Sequence, residues 1–328
     1  MSASHHALSH HVSPLLLTQE QLEPYLKKLD VAACLHDLFS SLAQGKAVQP
    51  AQSLTLLPED KGDFITYQGG ISGADVFGAK LSPYLVTGDK PIISAWTTLM
   101  SSRTGQPLLC CDSSLLTLER TAGTTALAVD QLAPIKANRL AIIGSGPVAL
   151  AHLKHVLNLR DWQSISIYSP NLNEDGALQD ILMTLDKRIE ICVSSQACVQ
   201  EADVIMLCTS SGTPVIDEKD LTKQDVLITS ISTNVANAHE ICPSTLGQMD
   251  VYCDYKATTP LSAGEMKLAV ANHAWSVANV KGDLADLVNQ DVAKPTYERP
   301  VFFRSIGLGL EDIAMAYGIW AEYQVANA

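Results

Sequence analysis

The sequence predicts an α/β protein in which a Rossmann-type parallel-sheet domain stands beside an α+β domain. Three observations carry that reading. From Arg139 to about Tyr255 short apolar runs alternate with helical patterns, as they do when a parallel sheet is covered on both faces. The first run ends in a glycine-rich turn, Gly144-Ser145-Gly146-Pro147-Val148-Ala149. Over the first 120 residues, strand-like runs follow one another with only turns between them, which reads as a mostly antiparallel sheet.

The elements follow in order. A helical segment from about Gln19 to Leu42 precedes strands at Ser53–Leu57, Asp63–Tyr67, Ala74–Leu81, Ile92–Met100 and Pro107–Cys111. Turns such as Lys61-Gly62, Gly69-Gly70 and Thr87-Gly88 separate them. Leu115–Leu132 reads as a helix leading into the second domain. There, strands at 139–144, 164–169, 189–193, 203–209, 226–232 and 250–254 are joined by helices that include 148–157 and Ala177–Leu185. Gly309–Tyr323 carries apolar residues at helical spacing. The expected boundaries are 1–122 for the first domain, with 300–328 folding back onto it, and 123–299 for the second.

Composition excludes several classes. A chain of 328 residues is long enough for about two domains. Its net charge of −13 and lack of Lys/Arg clusters argue against binding nucleic acid or an anionic membrane surface. No apolar run approaches the roughly 18 residues of a membrane span. The N-terminus, with His5, His6, His10 and His11, has no signal-peptide pattern. Eight cysteines include no C-x-x-C pair, and several lie in apolar runs, as buried thiols of a cytoplasmic protein would. No His/Cys/carboxylate cluster has the spacing of a metal site.

The glycine-rich turn carries the chemistry. It follows a strand and opens a helix, the context of a dinucleotide-binding fingerprint. Gly144 permits the tight turn, Gly146 lets the backbone approach a pyrophosphate, and Ala149 keeps helix and sheet close. The helix N-terminus offers free N–H groups to phosphate. At the end of the next strand, Tyr168-Ser169-Pro170-Asn171 contains no carboxylate for a ribose 2′-hydroxyl. NADPH is therefore favoured over NADH. The residues expected along the nucleotide are Gly144, Ser145, Gly146, Pro147 and Val148 at the turn, and Ser169 and Asn171 at the ribose. Thr209 is expected further along the nucleotide edge. Lys80 and Arg120 are candidates to hold a substrate carboxylate, with buried structural ion pairs as the rival reading for each. His152 and His155 fall on the helix after the turn, within reach of the phosphates or simply on its surface. Glu311-Asp312 reads as acidic residues favouring the start of the last helix.

At these residues the chain resembles the ornithine cyclodeaminase/mu-crystallin family. The resemblance runs from about Val48 and includes Gly78-Ala79-Lys80-Leu81, Thr104-Gly105-Gln106-Pro107, Leu116-Thr117-Leu118-Glu119-Arg120-Thr121, Ala238-His239-Glu240, Val251–Asp254 and Phe303–Asp312. It implies a substrate and dimerisation domain built from the N-terminal segment and the C-terminal helix, hence a homodimer. It also implies that Lys80 and Arg120 hold the substrate carboxylate, that Phe303–Gly307 passes near the nicotinamide, and that Thr121, Ser232 and Ser305 lie along the cofactor.

Two departures shape the functional reading. Family members commonly read Pro-x-Arg where this chain has Pro50-Ala51-Gln52, so Gln52 replaces one carboxylate-binding arginine. Asn234 stands where cyclodeaminases carry a catalytic Asp. An amide can orient a substrate nitrogen but cannot shuttle protons. Cyclodeamination is thereby disfavoured, and the expected reaction is NAD(P)H-dependent reduction of a cyclic ketimine carboxylate, Δ1-pyrroline-2-carboxylate or Δ1-piperideine-2-carboxylate, to L-proline or L-pipecolate. Lys80 and Asn234 are the expected catalytic residues. Two rivals stand beside it: reductive amination of an oxo acid on the same scaffold, and a ligand-binding protein without turnover. Ammonia dependence separates the first from ketimine reduction.

Overall fold

A computed structural model describes residues 13–88, 90–233 and 237–328. Asn234 and the four N-terminal histidines lie outside the described residues. Two eight-stranded sheets form among those that are described.

The first sheet comprises β1 (Leu15–Leu17), β2 (Ala47–Val48), β3 (Ser53–Leu56), β4 (Gly62–Ile71), β5 (Val76–Leu85), β6 (Ile92–Ile93), β7 (Trp96–Ser101) and β8 (Pro107–Asp112). Its main path is β1-β8-β7-β5-β4-β2, with β3 paired to β4 and β6 to β5. Every pairing is antiparallel except β1 with β8. The run expected as one strand over Ile92–Met100 splits into β6 and β7.

Alternation along β5 decides which face is buried. Val76 and Lys80 are buried, whereas Phe77 and Leu81 are 43% and 47% exposed. The inner face is covered by α1 (Gln19–Leu26), α2 (Val31–Ala43), the first half of α3 (Ser114–Leu132) and a long C-terminal helix, Gly309–Ala326. Asp30 caps α2 by accepting from the Ala33 amide at 3.0 Å. The outer face carries a depression of ≈ 440 Å³ lined by residues that include Val48, Gln68, Phe77, Thr98 and Met100.

The second sheet is parallel throughout, in the order β11-β10-β9-β12-β13-β16-β14-β15. Its strands are β9 (Arg139–Ile143), β10 (Ser164–Tyr168), β11 (Ile189–Ile191), β12 (Val204–Leu207), β13 (Leu227–Ser230), β14 (Asp250–Cys253), β15 (Val280–Asp283) and β16 (Val301–Arg304). Six of them match the apolar runs read from sequence. β15 and β16 were not anticipated. Residues 301–304, expected to fold back with the C-terminal segment, instead form the strand between β13 and β14. The helices are α4 (Pro147–Val156), α5 (Gly176–Leu185), α6 (Ser195–Val199), α7 (Thr259–Ser262), α8 (Gly264–Asn272) and α9 (Leu284–Val288). The expected boundary at 122/123 falls inside α3, one unbroken helix that serves both sheets.

After β16 the chain crosses to the first sheet as α10 (Gly309–Ala326). One glycine on the helix and two on the sheet let the elements approach closely. A Cβ at Gly309 would lie 2.4 Å from the Gln68 carbonyl oxygen, and Cβ atoms at Gly69 and Gly78 would meet Leu310 and Ile313 at 2.9 and 2.8 Å. Gln49 secures the same end by accepting from the Leu310 amide at 2.9 Å. All eight cysteines are unpaired; Cys111, Cys198, Cys208 and Cys253 are buried and Cys242 is exposed. Among the described residues no helix is long and apolar enough to cross a membrane.

The Gly309 contact is with backbone, which cannot rotate away. Gly309→Ala should lower unfolding free energy by about 3 kcal/mol in a urea titration; an unchanged midpoint would place α10 farther from β4 than described.

Candidate functional site

The carboxyl ends of the parallel strands meet the buried face of the first sheet, and the sequence-predicted residues gather along that seam. Gly144 adopts φ +125°, and a Cβ there would lie 2.4 Å from the Cys208 carbonyl oxygen, so only glycine turns the chain from β9 into α4. At Gly146 the opposite holds: nothing lies within 4 Å of where a Cβ would project. That open space, above the N-terminus of α4, fits a pyrophosphate. Pro147 occupies the first helical position, where its missing N–H costs nothing, and the Val148 and Ala149 amides point outward without helical partners. Ser145 and Ser169 join their hydroxyls at 2.7 Å, linking the turn to the end of β10. Asn171, just beyond, is exposed.

The other expected cofactor residues are arranged by two buried carboxylates that sequence reasoning did not assign. Glu240 accepts from the Thr209 amide (2.8 Å) and hydroxyl (2.7 Å) with one oxygen. Its other oxygen takes the Ser230 hydroxyl (2.7 Å) and the amides of Ile231 (2.9 Å) and Ser232 (3.1 Å). Asp254 accepts from the Ser305 hydroxyl (3.0 Å) and the amides of Ile306 (2.7 Å) and Gly307 (3.0 Å). It is itself held by the Thr259 hydroxyl. Thr209, Ser232 and Ser305 therefore stand together on the carboxyl edge of β12, β13 and β16, with their hydroxyl protons already given to Glu240, the Ser211 carbonyl and Asp254. What they present to a nicotinamide is backbone and lone pairs. Arg304 braces this edge from beneath. It pairs with Glu265 at 2.8 Å and donates to the Ser232 and Ser305 carbonyls.

Lys80 and Arg120 meet the rival reading of their charges. Both are buried and both are paired within the chain. Lys80 Nζ lies 2.8 Å from Asp312 Oδ2, and donates to Thr117 Oγ1 at 3.3 Å. It also sits 4.3 Å above the centroid of the Tyr67 ring. Arg120 donates through Nη1 to Glu311 at 2.9 Å and through Nε to Asp312 Oδ1 at 3.3 Å. Glu311 and Asp312, read from sequence as a helix-start preference, are instead fully buried counter-ions. Those bonds leave Arg120 Nη2 and the third proton of Lys80 without a partner among the described residues. Burial brings the Lys80 ammonium down to about 8 against the pull of Asp312. It pushes the Glu311 carboxyl up to about 7 against the pull of Arg120. Gly307, at φ +77°, lets the loop from β16 touch this cluster, since a Cβ there would lie 2.2 Å from Arg120 Nη1.

Three expectations end elsewhere. Gln52 is half-buried before β3 and its side chain makes no hydrogen bond among the described residues. His152 does not reach toward phosphates: it is fully buried, with Nδ1 2.7 Å from the Val148 carbonyl and Nε2 3.0 Å from the Thr125 hydroxyl. His155 turns to Glu119 at 2.6 Å. Thr121 lies one residue beyond Arg120 and gives its hydroxyl proton to the Thr117 carbonyl.

Comparison with known proteins adds three findings. The family model of the ornithine cyclodeaminase/mu-crystallin family matches residues 13–326. The NAD(P)H-dependent anabolic L-arginine dehydrogenase DauB of Pseudomonas aeruginosa is 52% identical over 308 residues, 94% of this chain and 97% of its own. Two solved structures share the fold at a TM-score of 0.86. One is Thermococcus litoralis Δ1-pyrroline-2-carboxylate reductase in complex with NADH and L-proline, 19% identical over 96% of this chain and 98% of its own. The other is an archaeal alanine dehydrogenase dimer with bound NAD, 20% identical over 96% and 97%.

Burial drives the His152 imidazole down to about 4, so the folded chain keeps it neutral where the unfolded chain takes up a proton. Stability attributable to this residue is intact above pH 6.5, falls as pH drops from 6.5 to 4, and levels off below. The loss amounts to about 3 kcal/mol. Glu311 slopes the other way, because the folded chain protonates it first, between pH 7 and its usual range. The test is the difference in unfolding free energy between the native chain and His152→Gln across pH 4–7; a flat difference would mean that His152 titrates normally.

Proposed function

The chain belongs to the ornithine cyclodeaminase/mu-crystallin family and is an NAD(P)H-dependent oxidoreductase, and we propose that it reduces the C=N bond of a 2-imino acid formed from a 2-oxo acid and ammonia. The favoured substrate is the oxo acid of arginine, 2-oxo-5-guanidinopentanoate. The observation that carries this reading is the 52% identity, over nearly the full length of both chains, to an anabolic L-arginine dehydrogenase. A net charge of −13 suits a cationic side chain better than a second carboxylate. This reading moves the substrate from the cyclic ketimine expected from sequence to the open-chain imine of the rival reaction. The two share one chemical step.

In that step Arg120 Nη2 holds the substrate carboxylate, and the third proton of Lys80 faces the reacting hydroxyl. Ammonia adds to the carbonyl, water leaves, and the resulting iminium carbon accepts hydride. The bound dinucleotide supplies the hydride. One 2-oxo acid, one ammonium ion, one NAD(P)H and one proton give one amino acid, one NAD(P)+ and one water. Lys80 is the proton donor for loss of the hydroxyl, an assignment supported by its burial and by an ammonium brought down to about 8. The contribution of the chain is orientation and charge, since the cofactor carries the difficult chemistry. NADPH is the favoured donor, because the Ser145–Ser169 hydroxyl pair offers hydrogen bonds and no carboxylate to a 2′-phosphate.

We also propose that the chain acts as a homodimer, the outer face of the first sheet being covered by a second copy. Val48, Phe77, Leu81 and Ile92 are 60%, 43%, 47% and 53% exposed there. An apolar sheet face of this kind is normally buried.

The deciding assay follows nicotinamide absorbance with NADPH or NADH, using 2-oxo-5-guanidinopentanoate with and without ammonia, and separately Δ1-pyrroline-2-carboxylate. Turnover of the oxo acid that requires ammonia is the expected result. Rapid ammonia-independent oxidation with the cyclic imine alone would return the assignment to ketimine reduction. Silence with every substrate would favour ligand binding without turnover. Lys80→Ala should lose at least about 100-fold in kcat/KM while still binding NADPH; unchanged kcat/KM would remove Lys80 from the reaction.

A further inference from the structure

Lys80 raises a question that its place in the site does not answer: a buried amine beside an arginine should lose its proton, yet a proton donor must carry one. Facing Nζ are the Tyr67 ring from β4, Thr117 and Arg120 from α3, and Glu311 and Asp312 from α10. Thr97 stands opposite Lys80 on β7. Cys111 of β8 also senses Asp312, and burial keeps its thiol protonated. Burial and Arg120 both oppose a charge on Lys80; Asp312 and Glu311 favour it. The two carboxylates are not equivalent. Glu311 is bonded to Arg120 at 2.9 Å, and burial pushes its carboxyl up. Asp312 gives Oδ1 to Arg120 Nε and turns Oδ2 to within 2.8 Å of Lys80.

We propose that Asp312 is a positioning residue that keeps Lys80 charged at the pH of the reaction and so sets the alkaline limit of its action as proton donor. Arg120 fixes the plane of the Asp312 carboxylate, so that one oxygen always faces the ammonium. Lys80 then gives one proton to the hydroxyl of the carbinolamine. The C–O bond breaks, water leaves, the nitrogen lone pair forms the C=N bond, and the neutral amine recovers a proton from solvent. Without Asp312 the amine faces a guanidinium and an aromatic ring in a dry site, and it is neutral where it should be charged.

The role of Lys80 as donor rests on the imine-reduction reading; the hold of Asp312 over its charge does not, and the test separates them. Lys80 is titrated directly by heteronuclear NMR in the full chain labelled at lysine, with its resonance assigned from Lys80→Arg. Asp312→Asn should lower the Lys80 midpoint by about one pH unit or more, a tenfold loss of proton affinity. Asp312→Glu should restore it to within about half a unit, and Glu311→Gln should move it less than Asp312→Asn does. If the oxo acid is turned over, the alkaline limb of kcat/KM should move down with the same midpoint, whereas loose packing would lower the rate without moving the limb. An unchanged midpoint in Asp312→Asn, or a larger effect from Glu311→Gln, would overturn the proposal. Should Asp312→Asn not fold, Asp312→Glu decides alone: a midpoint displaced by more than about one unit, with the carboxylate charge retained, would refute it. Absence of turnover with an intact Asp312 effect would instead count against the substrate reading.

Discussion

Four charges, on Lys80, Arg120, Glu311 and Asp312, are removed from water at one point between the two sheets. Each would cost several kcal/mol if buried alone, and removing any one leaves its partner uncompensated. The cluster therefore forms only when β5, α3 and the start of α10 are all in place. Its value is registry more than stability, since an apolar core of the same volume would hold the elements together at least as well. The glycines at 69, 78 and 309 belong to the same arrangement. They bring the α10 backbone close enough to β4 and β5 for two consecutive acidic side chains to reach the lysine and the arginine.

On the side of the parallel sheet, buried carboxylates again do the arranging. A strand that ends at a binding edge leaves amides without ladder partners, and a buried amide without an acceptor is costly. Glu240 answers this for β12 and β13, and Asp254 for the turn after β16. A carboxylate serves here because its two oxygens accept several such bonds at once. The loop held by Asp254 ends at Gly307, which rests on Arg120. The edge of the parallel sheet and the buried cations are thus adjacent, joined by the Asp254–Gly307 hydrogen bond and the packing of Gly307 on Arg120.

Much of this was readable in the chain. The fold class follows from alternation of short apolar runs with helices, and the glycine-rich turn was recognisable because its strand and helix flank it in sequence. Lys80 stood out as a cation in an apolar strand and Arg120 as a cation in a helix of small residues. Their partners were not recoverable in the same way. Glu311 and Asp312 lie about 190 residues beyond Arg120, and acidic residues at a helix start are so common that local sequence points to the dipole first. Glu240 looked like the neighbour of His239, whose ring instead closes a local contact with the Asn237 carbonyl at 2.7 Å. β16 was hidden because its order in the sheet depends on where the preceding helices bring the chain, which periodicity does not encode. His152 was misplaced for a related reason: its helix is two-faced, and only the packing of α4 on α3 says which face is which.

The path of the chain between its sheets has a mechanical consequence. Polypeptide passes from one to the other at α3 and returns at the junction of β16 and α10. A single connection would allow the halves to twist and roll about it. Two connections side by side define an axis, and any relative movement is reduced to a swing about that axis, as with a door on two hinges. Arg120 lies on one connection and Gly307 on the other, so the buried charge cluster sits where the two sheets are tied together. Any such movement would displace the Arg120–Gly307 contact least and the distant rim most.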